Sequence, residues 1–344
     1  MSLDTWSLTD IALAFAAATV IIAWFGIKMT KCARDLAHHT GLGEAFMGAL
    51  FIGASTSLSG ITTSVSAAAA GQAELAVSNA LGGIAAQTTF LAVADIVYRR
   101  ANLEHAAAAA ENLFMTALLL TLLGIHALAL AVPQVSVLGV HPASLVLLLG
   151  YIFGVRLLAH THEMPMWLPR RTGDTPTEPA LPKPLQRRQQ LLHQWLRFAA
   201  YGVAVAGAGW VLAQLAVPLA ERTGWTQSIV GGVFTAVATS IPELVVAVTA
   251  VRMGALNLAI GDIIGGNAFD TLFIAASDVA YREGSIYSVL SNDEYFWLAN
   301  SIIMTSVLLM GLIYRERHGP GNIGLESVLL LLLYFGGIAV LASR

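Results

Sequence analysis

The sequence is poor in charge. Asp, Glu, Lys and Arg make up 11% of its 344 residues, whereas 56% are hydrophobic and the mean hydropathy is +0.71. An ordinary soluble domain carries about 25% charged residues, so that class is excluded. Cysteine is nearly absent: Cys32 alone permits no intrachain disulfide and reads as a small filler at a helix end. No Lys or Arg precedes Lys28, so the charged start of a cleavable signal peptide is missing and none is expected. A Gly-rich phosphate loop, a nucleophile elbow and a metalloprotease helix are also lacking, so no enzyme is expected. Net charge is −3, and the basic residues lie in short loops and one linker, which gives no nucleic-acid surface.

What is present is organised. Apolar runs of transmembrane length, such as Ile11 to Ile27 and Ile323 to Ala342, alternate with short polar breaks. Spans are expected near 8–29, 43–69, 73–98, 113–132, 138–158, 196–220, 226–252, 256–281, 293–314 and 322–342. The one long polar stretch, about His160 to Gln194, holds Pro165, Pro169, Pro176, Pro179, Pro182 and Pro184 and reads as an extended linker. Its Arg170, Arg171, Lys183, Arg187 and Arg188 place it in the cytoplasm by the positive-inside rule, and five preceding spans then put the N-terminus outside. The expected fold is an all-α integral membrane protein of about ten transmembrane helices. Its organisation is a first repeat at 1–159, a linker at 160–194 and a second, inverted repeat at 195–344. The expected location is the cell (inner) membrane, with the lipid bilayer as partner; oligomeric state is not legible.

The repeat is visible in the chain itself. Thr56-Ser57-Leu58 aligns with Thr239-Ser240-Ile241 at an offset of 183 residues. Without a gap the same offset pairs Gly71 with Gly254, Gly82-Gly83 with Gly265-Gly266, Phe90 with Phe273, Asp95 with Asp278, and Tyr98-Arg99 with Tyr281-Arg282. Five spans per half is an odd number, so the halves insert in opposite senses. That arrangement belongs to secondary transporters, whose site lies at the repeat interface.

The second repeat places carboxylates inside apolar spans: Glu243, Asp262 and Asp270. Intramembrane carboxylates are costly and point to function, and sites of carboxylate, hydroxyl and carbonyl oxygen suit hard cations. Pro242 is expected to break its helix and free carbonyls near Ala238 for an ion. The hydroxyl run Ser55, Thr56, Ser57, Ser59, Thr62, Thr63, Ser64, Ser66 reads mostly as helix packing.

The motif Thr239-Ser240-Ile241-Pro242-Glu243, followed by Gly261-Asp262-Ile263-Ile264-Gly265-Gly266-Asn267-Ala268-Phe269-Asp270, resembles the α-repeat of the sodium/calcium exchanger superfamily. The resemblance implies Thr239, Ser240, Glu243 and Asp270 as ion ligands, with a backbone carbonyl from Ala236. It implies Asn267 and Asp262 as neighbouring polar positions that orient the hairpin. Thr56, Ser57 and Gln87 are the first repeat's expected contribution. That repeat departs from the pattern: Ser59 and Gly60 replace the proline and glutamate, and Gln87 stands opposite Asp270.

Two carboxylates balance one Ca²⁺ but not three Na⁺, and uncompensated buried charge is expensive. The expected activity is therefore antiport of Ca²⁺ or a similar divalent cation against Na⁺ or H⁺, with no covalent cofactor. A monovalent Na⁺/H⁺ antiporter and a degenerate, non-transporting ion-binding protein are the alternatives. Elsewhere, His160 and His162 with Glu163 read as solvated and His126 as packing. Asp95 and Asp278 read as helix-end salt bridges to Arg99 and Arg282, four residues on.

Overall fold

The computed structural model describes residues 5–37, 52–132, 135–163, 168–175, 188–319 and 323–344, without the side chains of 33–34, 161–163 and 188–191. Its regular elements are helical. In chain order they are α1 (Leu8–Ala37), α2 (Gly53–Thr56), α3 (Leu58–Ala69), α4 (Ala73–Val97), α5 (Leu103–Ala106), α6 (Ala110–Ala131) and α7 (Pro142–Glu163). Then come α8 (Arg188–Thr223), α9 (Gln227–Ile229), a π turn (Val230–Thr235), α10 (Ala236–Arg252), α11 (Leu256–Ala280), a 3₁₀ turn (Ile286–Ser288), α12 (Asn292–Tyr314) and α13 (Leu325–Ala342).

Among the described residues nine helices are long and apolar enough to cross a membrane. The remaining expected span, 43–69, is α2 and α3, interrupted at Ser57; residues 43–51 lie outside the described ones. The interval between helices is narrower than the expected 160–194, because α7 runs on to Glu163 and α8 starts at Arg188, with all six prolines between them. The side chains of His162 and Glu163 lie outside the described residues.

The offset of 183 carries through the fold. Helices α4 and α11 begin and end 183 residues apart, α3 and α10 end so, and α7 and α13 begin so. Gly71 and Gly254, which turn α3 into α4 and α10 into α11, both have φ of +79°, a left-handed conformation that glycine takes at no steric cost. Small residues all round α4 and α11 let both be buried on nearly every face. These two helices pack together at the centre, and α1 lies along α8 at one side. Exposed Leu13, Val20, Trp24, Val203 and Trp210 on that pair give an outward face suited to lipid.

Asp95 and Asp278 are not the helix-end salt bridges expected from their spacing to arginine. Both are fully buried. Asp95 accepts from the Leu103 amide at 2.7 Å, the Gly324 amide at 2.9 Å and the Ser327 hydroxyl at 3.0 Å. Asp278 accepts from Ile286 at 2.8 Å, His141 at 2.6 Å and Ser144 Oγ at 2.7 Å, the same three positions displaced by 183. Each aspartate thus binds the N-terminus of the other repeat's last helix, where unpaired amides and the helix dipole favour an anion. The halves are stapled to one another, one staple at each end of the molecule.

Candidate ion-binding site

The site grows from two threonines in matched positions. Thr56 Oγ1 donates to the Gly53 and Ile52 carbonyls at 2.9 and 3.2 Å, and Thr239 Oγ1 to Thr235 and Ala236 at 2.9 and 3.2 Å. With the hydroxyl proton turned back into its own helix, each threonine has only lone pairs to offer elsewhere.

The break expected at Pro242 is absent. Helix α10 runs through Pro242, and the irregularity lies about two turns earlier, in the π turn at Val230–Thr235. The helix that does break is the first repeat's, at Ser57, without a proline. Ser59, which stands in proline's place there, donates across the repeats to the Thr239 carbonyl at 3.0 Å. Counting Ser59 among packing hydroxyls overlooked this, and no signal in the local pattern marks it.

Ser57, Gln87, Thr239, Ser240, Glu243 and Asp270 line one closely packed, buried cavity. Each is at most 4% exposed. Gly60, Asn79, Gly83 and Phe273 complete the walls, none of them among the expected ligands. Gln87 Nε2 donates to Asp270 Oδ2 at 2.6 Å and to Ser240 Oγ at 3.2 Å. Ser57 stands beside the Asp270 carboxyl and Thr56 beside that of Glu243, yet five oxygens make no well-formed hydrogen bond: both of Glu243, Asp270 Oδ1, Gln87 Oε1 and Ser57 Oγ. Buried polar atoms are nearly always paired, so a concentration of unpaired oxygen around two carboxylates suits a cation. Among the described residues no group of three His, Cys, Asp or Glu is arranged to hold a metal. Glu243 and Asp270 are the two carboxyl groups on the cavity's walls.

The other expected positions stand around it. Thr56 and Ala236 lie in the flanking turns just described. Asn267 Nδ2 donates to Thr88 at 2.9 Å and ties α11 to α4. Asp262 is fully buried, is not a wall of the cavity, and has both oxygens unpartnered. Its counterpart Asn79 is well served: it donates to the Gly60 carbonyl and Ser64 Oγ and accepts from Thr235. Moved by the offset, Ser64 becomes Ala247 and Thr235 becomes Ile52, neither with a polar side chain.

Gly60 explains the missing glutamate's space. A Cβ there would come within 2.6 Å of the Phe273 ring, which fills the volume. His126, near Asp270 in the fold, packs as expected. Its Nε2 lies 3.1 Å from the Thr271 carbonyl and its Nδ1 2.8 Å from Tyr287 Oη. A carbonyl only accepts, so the proton sits on Nε2 and Nδ1 receives the tyrosine hydroxyl.

A family model described as sodium/calcium exchanger protein matches residues 11–159 and 193–342. A putative antiporter, CaxA of Alkalimonas amylolytica, is 25% identical over 323 residues, 92% of this chain and 94% of that one. The sodium/calcium exchanger MaX1 of Methanosarcina acetivorans is 30% identical over 122 residues, 36% of this chain and 33% of that one. The solved sodium/calcium exchanger of Methanococcus jannaschii superposes with a TM-score of 0.61 at 18% identity, over 97% of this chain and 99% of that one. That likeness concerns the fold.

Proposed function

The chain belongs to the sodium/calcium exchanger protein family, a family of membrane cation antiporters, and on that premise we propose that it moves Ca²⁺ or a similar divalent cation against Na⁺ or H⁺ by alternating access. The observation that supports this reading is the convergence of Glu243, Asp270 and unpaired oxygens of both repeats in one buried cavity. In it the two carboxylates neutralise a divalent ion. Ser57, Ser240 and the Gln87 amide oxygen complete its shell, with Thr56, Thr239 and the Ala236 carbonyl in the adjoining turns. Hard oxygen donors of this kind replace the ion's hydration.

The charge count argues against a three-for-one exchange with Na⁺. Three monovalent ions would leave an unbalanced positive charge away from water, at several kcal/mol or more. Gln87 contributes an amide where a carboxylate would have added charge. One divalent ion against two Na⁺ or two H⁺ conserves the balance of the site.

The assignment extends to topology: the repeats at 1–159 and 195–344 flank a cytoplasmic linker at 160–194, and the N-terminus lies outside. The test is flux in proteoliposomes. Radiolabelled calcium uptake is measured with a Na⁺ gradient, with a pH gradient, and with neither. Uptake under either gradient, lost in Glu243→Gln, is the expected result. Sodium flux coupled to protons with no calcium movement would give the site to monovalent exchange, and equal uptake in Glu243→Gln would remove it from this cavity.

A further inference from the structure

A second acidic site lies at the end of the molecule where the linker runs, between the short helix α5 and the first turn of α13. Three successive residues of the short helix α5 do three different things. The Leu103 amide is held by Asp95. His105 Nδ1 contacts the Arg315 carbonyl at 2.7 Å and its Nε2 the Thr172 hydroxyl of the linker at 3.1 Å. Between them, Glu104 turns inward, is fully buried, and neither of its oxygens has a donor. What it meets is another acid, Glu326 at the start of α13, within hydrogen-bonding reach. Glu326 Oε1 also lacks a donor. Space for that side chain exists because Gly311 and Gly324 stand where any Cβ would strike it.

Two acceptors facing each other without a donor need something positive between them. We propose that Glu104 and Glu326 form a proton-binding site that controls docking of linker residues 168–175 on the linker-side end of the helix bundle. One shared proton turns the pair into a charge-assisted O–H···O⁻ bond. Its loss leaves two buried like charges. The charged groups around the pair do not relieve this. Asp95 on α4 and Glu316 after α12 add negative charge. Arg315 directs its guanidinium to the His105 and Arg170 carbonyls, and Arg317 pairs with Asp174 at 2.8 Å. Burial and these neighbouring acids hold the Glu104 carboxyl well above the usual glutamate range.

The linkage follows. The docked arrangement binds the proton more tightly than an undocked, hydrated Glu104 would, so docking is strongest below the ordinary glutamate pKa. It weakens as pH rises through the raised value. Because the same α5 turn grips Thr172 through His105, and Arg315 grips Arg170, repulsion at Glu104 loosens the linker. The opposite end of the molecule has no such device: the positions offset by 183 are Tyr287 and Ala143.

The test places a spin label on the exposed residue Arg171, as Arg171→Cys in a Cys32→Ser background, in the full-length protein. Spectra are followed from about pH 5 to about pH 9. The expected result is an immobilised label at acid pH that becomes mobile as pH rises. Glu104→Gln should abolish the transition and keep the label immobilised, since its amide donates to Glu326 without a proton. Glu326→Gln, which needs no change in α5, should do the same. An unchanged midpoint in both variants would place the titrating group elsewhere and overturn the proposal. So would a label that never changes over this range, or one immobilised again at alkaline pH by added calcium, which would make the pair a metal site.

Discussion

A buried carboxylate without a donor is expensive, and at the residue scale Glu243 and Asp262 are both of this kind. Glu243→Gln should therefore do two opposite things. In cation-free buffer it should raise the thermal midpoint, because a neutral amide costs less to bury than an unpaired carboxyl. With calcium it should erase the ligand-induced shift, which in the unaltered protein should reach about 2.7 kcal/mol at a hundredfold excess over Kd. Calorimetry or scanning fluorimetry with and without Ca²⁺ checks both. Restoring the first repeat's acid is a second residue-scale case. Gly60→Glu alone drives a side chain into the Phe273 ring, and overpacking of this kind typically costs about 1–3 kcal/mol. Gly60→Glu with Phe273→Ala should fold and bind divalent ions more tightly than the unaltered protein. An unchanged calcium affinity in the double variant would count against the two positions sharing one cavity.

Elements here are held by contacts that cross the repeats. Each of Asp95 and Asp278 collects an amide and a hydroxyl at the start of a helix belonging to the other half, and a further amide from its own half. Ser144→Ala and Ser327→Ala should each cost roughly 1.5–3 kcal/mol, as for one hydrogen bond to a charged acceptor. Asp95→Asn or Asp278→Asn should cost more, since an amide turns a donor toward donors. Thermal midpoints in one detergent, compared across the four variants, test the ranking. The helix contact beside the π turn is equally tight. A Cβ on Gly82 would overlap the Gly232 backbone, so Gly82→Ala should separate α4 from the π turn. Motif spacing anticipated the matched threonines and the hairpin glycines. It misjudged Pro242 and the two aspartates, because a local rule such as i,i+4 pairing does not know that a foreign helix N-terminus is near.

At the scale of the whole molecule, the reciprocal staples make the halves interdependent. A first half expressed alone leaves Asp95 without its α13 partners, and a second half alone leaves Asp278 without those of α7. Neither should fold stably by itself. Two fragments divided within the linker at 176–187 and co-expressed should co-purify, because the cross-repeat contacts of Asp95, Asp278, Ser59 and Gln87 still join the two halves. Recovery of either fragment alone as a monodisperse species would contradict this.

From the chain alone came the membrane class, the approximate spans, the duplication at an offset of 183 and the acidic motif of the second repeat. All of these rest on periodicity and composition, which are local and repetitive. Tertiary structure alone decided which oxygens are unpaired, that Phe273 fills the place of the lost glutamate, that Ser59 crosses to the other repeat, and that Glu104 meets Glu326. Those contacts join residues some 180 or more positions apart, and pairing at that distance is set by how inverted halves interlock, information that no single stretch of sequence contains.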